Sequence, residues 1–108
     1  MRIWLDDLRP APEGYVWCKS VNETKSYIIR TLICWLRLNK EIQYPLEILD
    51  IDYDSGEFYK DGGDYIEILK WFEKTQTHCP PIRIHSANAV GVANMRRIIE
   101  RNDWKEIK

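Results

Sequence analysis

A short apolar run that ends in carboxylates limits what this chain can fold into more than any other feature. Residues 46–54 read LEILDIDYD, a run of strand formers that carries three acids toward its far end, Asp50, Asp52 and Asp54. Asp6 and Asp7 follow the apolar residues 3–5 in the same way. The sequence therefore predicts two short buried strands that each end in acid.

Carboxylates at the ends of two neighbouring parallel strands would crowd together. Two unit charges about 4 Å apart repel by roughly 4 kcal/mol at the effective dielectric near a protein surface. A divalent cation, a basic side chain or a shifted pKa can offset that repulsion. The alternative is that each aspartate only caps a turn or a helix. Whether the aspartates form one shared site or are separate caps depends on whether the two strands are neighbours.

Length and charge narrow the class of protein. The chain has 108 residues, which predicts one domain, and 16 basic against 17 acidic residues, so no basic field favours duplex nucleic acid. No apolar run is long enough to span a bilayer and no signal-peptide core follows Met1, so we expect a cytoplasmic protein without a membrane partner. The three cysteines are odd in number and widely separated in the sequence, which argues against a disulfide framework. We predict that Cys18 and Cys34 are core residues.

Strand and helix patterns alternate along the chain. Strands are predicted at residues 1–5, 15–19, 46–54 and 82–84, with a short edge strand at 104–108. Helices are predicted from Ser20 to about Asn39, from Asp64 to about residue 75, and from about Asn88 to residue 102. Capping-box spacings begin the first two, and the first carries a wide apolar face predicted to be buried, with Ile28, Ile29, Leu32, Ile33, Trp35 and Leu36.

This alternation predicts an α/β protein with a largely parallel sheet. Ligands of such sheets bind outside the carboxyl ends of the strands, where the strand order switches. Six candidate site residues lie at predicted carboxyl ends, namely Asp6, Asp7, Asp50, Asp52, His85 and Ser86. Their shared placement predicts one site.

These residues resemble the response-regulator receiver domain, in which an acidic pair follows the first strand and a phosphoaccepting aspartate ends the third. The chain is more closely similar to a small receiver-like family, the cyclic-phosphate processing receiver domain. The similar blocks are Leu5, Asp6, Asp7, Arg9, Pro10 and Pro12; Leu49, Asp50 and Asp52; and His85, Ser86, Asn88, Val90, Gly91 and Met95. The resemblance implies a receiver-like, flavodoxin-like, doubly wound and mostly parallel sheet of four to five strands with flanking helices, over residues 1–108.

The chain departs from the family pattern at three places. Ile51 stands where the family has a histidine between the two strand aspartates, Tyr53 replaces the usual aliphatic residue, and Asp64 separates Gly63 from Tyr65. No lysine has a clear counterpart to the one that follows the fifth strand of receivers. These departures bear on any mechanism that needs two histidines and on ordinary phosphorelay switching.

The chemistry of the candidate residues suits a phosphate. Mg²⁺ or Mn²⁺ prefers oxygen ligands, and we predict Asp7 and Asp50 as leading ligands, with Asp6 and Asp52 direct or through water. His85 suits general acid or base catalysis. An anion cradle at a helix start is predicted from Ser86, Asn88 and the backbone of Val90 and Gly91. Arg9 either clamps the same anion or only pins its turn to a carboxylate.

Three functions are compatible with this site. The first is a metal-dependent enzyme that opens or hydrolyses a phosphate ester, such as a cyclic phosphate on a nucleotide or RNA end. The second is a signalling module that accepts phosphate on Asp50 or binds a phosphorylated ligand without turnover. The third is an interaction domain in which the acids are relics. A phosphate-bearing small molecule or nucleotide end is the expected partner, and the oligomeric state stays open.

Overall fold

Five strands and three α-helices alternate in the computed structural model, which describes residues 1–38 and 43–108. The strands are β1 (Arg2–Leu5), β2 (Tyr15–Cys18), β3 (Ile48–Ile51), β4 (Ile82–Ile84) and β5 (Glu106–Ile107). The helices are α1 (Val21–Leu38), α2 (Ile66–Thr75) and α3 (Ala89–Arg101), and a short 3₁₀ helix spans Gly56–Lys60. All predicted strands are present, including the edge strand. Asn39, the predicted end of the first helix, lies outside the described residues.

All strands pair in parallel in the order β2-β1-β3-β4-β5, the order of flavodoxin-like sheets. The predicted α/β class and receiver-like fold are therefore confirmed. β1 and β3 are neighbours, and Leu5 pairs with Ile51, so Asp6 and Asp52 leave the sheet side by side. The switch in strand order lies at this pair of strands.

The connection from β1 to β2 contains no helix, although parallel strands are usually joined by a crossover of a dozen or more residues. Two indole N–H groups tie this loop to the sheet. Trp4 Nε1 donates to the Arg9 carbonyl at 2.9 Å, and Trp17 Nε1 donates to the Asp6 carbonyl at 2.7 Å. The loop therefore stays beside the carboxyl end of β1.

The helices cover one face of the sheet. The connections β2-α1-β3, β3-α2-β4 and β4-α3-β5 all advance in the same direction, and right-handed crossovers then place their helices on the same side. The buried core confirms this, because its strand residues all lie on one face of the sheet and pack against the helices. These strand residues are Ile3, Leu5, Leu49, Ile51 and Ile82, and the helix residues in the same cluster include Ile28, Leu69, Phe72, Met95 and Ile98.

The opposite face of the sheet, here called the open face, carries Arg2, Trp4, Tyr15, Trp17, Ile48, Asp50, Arg83 and Ile107. None of these eight residues belongs to the core cluster. Among residues 1–38 and 43–108, no helix follows a crossover that would place it on this side. The open face is therefore the face on which sheet side chains reach solvent or a ligand.

The predicted wide buried face of α1 is correct only in part: Ile28 is buried and Leu32 packs against the core, but the rest of the face is not enclosed. Only Val21, Thr24 and Ile28 are buried, all in the first turns, whereas Ile33 and Leu36 are 41% and 51% exposed. Ile29 is also exposed, and so is Cys34, which we predicted to be core. A helix of 18 residues is about 27 Å long, but a strand of four residues spans only about 13 Å, so the last turns extend past the sheet.

The helix starts were predicted with mixed success. Ser20 Oγ accepts from the Glu23 N–H at 3.0 Å, as predicted for α1, and Glu23 Oε1 accepts from the Lys19 N–H at 2.7 Å. The predicted capping box at Asp64 is wrong: α2 begins after Tyr65 without a side-chain cap, and Asp64 Oδ1 instead accepts from the Ser55 N–H at 3.1 Å. None of the described helices has the length and apolarity needed to cross a membrane.

Candidate active site

Three acids converge where β1 and β3 end. Asp6, Asp7 and Asp52 each offer one carboxylate oxygen, and these oxygens lie within 4.8 Å of one another. Asp6 and Asp52 are buried, and Asp7 is half-buried. The arrangement follows from the strand register, because the residues after Leu5 and Ile51 emerge together.

Asp50, which the sequence predicts as a leading metal ligand, is not part of this acid cluster. It lies two residues nearer the start of β3, which places it about 7 Å back from the edge of the sheet. Its Oδ1 is 2.6 Å from His85 Nδ1, and its Oδ2 is 3.6 Å from an Arg83 guanidinium nitrogen. These contacts place Asp50 to orient His85, and its predicted role as a metal ligand stays a prediction.

His85 is held from three directions. Beyond the contact with Asp50, its Nε2 lies 3.1 Å from Asp6 Oδ2. The imidazole stacks on Trp4, with ring centroids 3.8 Å apart and planes 4° from parallel. Each ring nitrogen therefore faces a carboxylate oxygen, while one face of the ring rests on the indole. The structure thus presents His85 Nε2 at the border of the acid cluster.

Arg9 bridges the acids on the same side. Its Nε donates to Asp6 Oδ2 at 2.8 Å, and one terminal nitrogen reaches both Asp52 Oδ2 at 3.2 Å and the His85 carbonyl at 3.1 Å. Of the two roles predicted for Arg9, the structure shows the contact that holds its turn to a carboxylate, that of Asp6. The guanidinium is 56% exposed, and its second role, as an anion clamp, stays a prediction.

The three acids of the cluster differ electrostatically. Burial by itself raises the pKa of Asp6, but the backbone N–H groups of Arg9 and Leu8, together with the Arg9 charge, hold that pKa below its usual value. Burial also raises the pKa of Asp7, and repulsion from Asp6, Asp52 and other acids raises it further. Asp7 therefore carries the least compensated charge of the cluster.

The donor set fits a hard divalent cation. All three groups supply oxygen, as Mg²⁺ and Mn²⁺ prefer, and their oxygens lie within 4.8 Å of one another, a range that includes the roughly 4.2 Å between oxygens on opposite sides of Mg²⁺. Asp6 takes part in more hydrogen bonds, with Leu8, Arg9 and His85, than Asp52, which among the described residues accepts only from Arg9 and Tyr53. Asp7 and Asp52 are therefore the residues that would hold the ion, with Asp6 contributing charge.

Gly56 makes room for this arrangement. It has a φ of 55°, and a Cβ at this position would overlap the Asp7 carboxylate. A left-handed conformation is accessible to glycine without the penalty that a side chain imposes. The sequence shows only a glycine in a polar loop, so its approach to Asp7 required the tertiary structure.

The residues of the predicted anion cradle form hydrogen bonds mostly with one another. Asn88 Oδ1 caps α3 by accepting from the Gly91 N–H at 2.9 Å, and Ser86 Oγ accepts from the Asn88 N–H at 3.2 Å. Gly91 is buried, and a Cβ there would overlap the Tyr53 ring, so its missing side chain serves packing. Val90 is 73% exposed. Phosphate binding by Ser86, Asn88, Val90 and Gly91 stays a prediction.

Two residues of the site carry no local motif that could have revealed them. Trp4 supports the His85 ring, and Arg83 contacts Asp50. Both lie in the same row of the sheet as Asp50, because the register pairs Asp50 with Trp4 on one side and with Arg83 on the other. Strand pairing was the information needed to find them.

Comparison with known families matches nearly the whole chain. The family model of the cyclic-phosphate processing receiver domain matches residues 1–101. No curated protein and no solved structure shows a significant match to the chain. The match includes β1, β3 and β4, the acid cluster at their carboxyl ends and His85. The chain belongs to the cyclic-phosphate processing receiver domain family.

Proposed function

We propose that the protein is a metal-dependent phosphoesterase that opens or hydrolyses a phosphate ester, with a cyclic phosphate on a nucleotide or RNA end as the substrate class that the family suggests. The observation that carries the proposal is the convergence of Asp6, Asp7 and Asp52 beside the oriented ring of His85. Phosphoryl transfer depends mainly on positioning and charge stabilisation, which such a site can provide.

Each residue of the site has a defined part in this proposal. Asp7 and Asp52 hold the divalent cation, which when bound supplies charge stabilisation to the phosphoryl oxygens. Water adds to phosphorus, one P–O ester bond breaks, and His85 Nε2 gives its proton to the leaving oxygen. The proton of the attacking water is released to solvent, from which His85 Nε2 regains a proton, and Asp6, 3.1 Å from Nε2, contributes charge beside the ring. Asp50 positions the ring through Nδ1.

Turnover of defined substrates tests the proposal. The protein is incubated with 2′,3′-cyclic mononucleotides and with cyclic dinucleotides, in Mg²⁺, in Mn²⁺ and in EDTA, and products are separated by chromatography. We expect turnover that requires the cation and falls by about a hundredfold or more in His85→Gln. Asp103→Asn, a change at an exposed turn, serves as the charge control and should retain activity. Absence of turnover under every condition would contradict the proposal.

A second candidate function is a phosphate-accepting or phospholigand-binding module. In receivers the acceptor ends the third strand, and the residue that directly follows β3 and joins the acid pair is Asp52 rather than Asp50. Labelling with acetyl phosphate separates the two assignments. Label that is lost in Asp52→Asn but kept in Asp50→Asn, with no turnover of cyclic phosphates, would favour this module over the enzyme.

A further inference from the structure

The open face of the sheet carries an unusual set of side chains for a parallel sheet. Parallel sheets are normally covered on both faces and their strands are continuously apolar. Here β1 and β2 instead place Trp4, Tyr15 and Trp17 on the open face, each of them partly exposed. Basic groups border these rings: Arg2 and Arg83 are exposed, and Lys19 lies 4.4 Å from the centre of the Trp17 ring.

This face continues directly into the candidate active site. Trp4 stacks on His85, and its ring meets Tyr15 edge to face at 6.1 Å between centroids. Arg83, on the far side of β3, contacts the Asp50 carboxylate that orients His85. A ligand on the open face would therefore touch residues that also contact the proposed proton donor.

A concavity on the open face is large enough for part of a small molecule. Its volume is about 450 Å³, within the range of ligand pockets, and its lining includes Arg2, Tyr15, Glu47, Ile48, Arg83 and Ile107. Tyr15 offers an aromatic ring, Ile48 and Ile107 are apolar, and polar groups come from Arg83 and from the Arg2–Glu47 ion pair, 3.1 Å between its atoms. This combination suits a flat heteroaromatic ring with polar edges.

We infer that this concavity is a nucleobase subsite, so that the substrate of the proposed phosphoesterase is a nucleotide whose base stacks on Tyr15 while its phosphate lies at Asp7, Asp52 and His85. This inference rests on the proposed function for the position of the phosphate. Strand-borne aromatic residues and arginines on an open sheet are the chemistry by which proteins hold unpaired bases.

The ring contacts link this concavity to the site. Tyr15 and His85 both contact Trp4, at 6.1 Å and 3.8 Å between ring centroids, so a single indole ring separates Tyr15 from the proposed proton donor. The ribose would span the Trp4 ring between base and phosphate. A free nucleotide and the last nucleotide of an RNA share this chemistry.

Binding of product-like ligands tests the inference without requiring turnover. Calorimetry compares adenosine and uridine 3′-monophosphate with the base-less methyl riboside 3-phosphate, in Mg²⁺. The wild-type protein should bind at least one of the two nucleotides about tenfold or more tightly than the base-less ligand, because stacking of one base is worth about that factor. Tyr15→Ala should remove the difference and Tyr15→Trp should preserve it. Tyr27→Ala, at an exposed tyrosine of α1, is the matched control and should keep the difference.

A second measurement guards against misfolding of the variant. Adenosine added to the wild-type protein should shift the backbone amide resonances of Arg2, Tyr15 and Ile48. Further tightening by a dinucleotide 3′-phosphate would identify RNA ends as the source, and equal affinity would identify free nucleotides; both support the inference. Equal binding of base-containing and base-less ligands by the wild-type protein, or a difference that survives in a folded Tyr15→Ala, overturns it. Base-dependent binding without any turnover contradicts only the phosphoesterase proposal.

Discussion

Asp50 and Asp52 are two residues apart and have different surroundings. Asp52 joins Asp6 and Asp7 at the edge of the sheet, whereas Asp50 lies between His85 and Arg83 on the open face. The contacts of Asp50 explain this, because its two oxygens face the His85 ring and the Arg83 guanidinium instead of the acids that follow the strands. The two aspartates therefore separate the charge of the proposed cation site from the charge that orients an imidazole.

Neutralising Asp7 should stabilise the metal-free protein and abolish its response to Mg²⁺. The raised pKa of Asp7 means that the folded state holds this proton more tightly than the unfolded state, so ionisation of Asp7 costs stability as the pH rises through that pKa. Asp7→Asn should therefore raise the free energy of unfolding at pH 7 by a few tenths to about 1 kcal/mol, and this gain should vanish once the pH falls below the usual aspartate pKa.

Urea unfolding with and without Mg²⁺ measures both effects. A cation at 100 times its dissociation constant stabilises the wild-type protein by about 2.7 kcal/mol, and Asp7→Asn should lose that increment. Asp103→Asn removes the same charge from an exposed turn, and this variant should keep the stabilisation by Mg²⁺. A wild-type protein that shows no cation-dependent change in melting temperature would favour the relic interaction domain.

Gly56→Ala should weaken cation binding by more than its backbone strain explains. Gly56 and Gly14 both have positive φ values, 55° and 86°, but only a Cβ at Gly56 would overlap the Asp7 carboxylate, since nothing lies within 4 Å of one at Gly14. Both substitutions should cost roughly 1 kcal/mol or more of unfolding free energy. Only Gly56→Ala should also reduce Mg²⁺ affinity by about tenfold or more, as measured by titration. Equal Mg²⁺ affinities of the two variants would contradict the role assigned to Gly56.

At the scale of elements, the start of α1 is coupled to the loop that follows β3. Ser20 Oγ accepts from the Glu23 N–H and donates to Asp61 Oδ2 at 2.5 Å, while Asn22 Nδ2 donates to Asp61 Oδ1 at 3.0 Å. These hydrogen bonds, that of Ser20 first, hold the pKa of Asp61 below its usual value. The cap therefore joins two segments that are distant in the chain.

Removing this cap should destabilise the protein measurably. Ser20→Ala leaves the Glu23 N–H without its side-chain acceptor and should lower the free energy of unfolding by about 1–2 kcal/mol in urea. The contribution from Asp61 should be present above the usual aspartate pKa and be lost as the pH falls through the lowered one. Ser26→Ala, at an exposed position of α1, is the control, and a loss as large as that of Ser20→Ala there would refute the capping argument.

At the scale of the whole molecule, the two faces of the sheet have different tasks. The helix-covered face holds the core, and the open face holds the network of Trp4, His85, Asp50 and Arg83. Because the helices pack away from the network, changes on the open face can alter ligand recognition without opening the core. This division is the reason that base recognition and folding should be separable in variants.

Two leucines test where the stability of the molecule resides. Leu49, in the central strand β3, is fully buried, whereas Leu38 at the end of α1 is 81% exposed. Leu49→Ala should lower the free energy of unfolding by about 2–5 kcal/mol, because it leaves a cavity between the sheet and the helices. Leu38→Ala should change it by less than about 0.5 kcal/mol. Similar losses in the two variants, measured by urea unfolding, would contradict the placement of the core.

Local patterns in the sequence determined much of this protein. Alternation of short apolar runs with periodic segments predicted the parallel α/β class, and acids after two strands predicted a shared site, because the carboxyl ends of parallel strands meet at one edge. Ser20 and Asn88 marked helix starts through bonds to nearby backbone groups, which depend on few residues. Such features need no knowledge of the distant chain.

Only the tertiary structure decided the features that depend on strand register and element length. Register placed Asp52 in the acid cluster and Asp50 against His85, although both had looked like ligands. Length left the last turns of α1 beyond the sheet, so apolar residues such as Ile33 and Leu36 are exposed. Crossover handedness left one face open, with Trp4 beneath His85. Each of these outcomes depends on contacts between residues far apart in the chain, which no local pattern encodes.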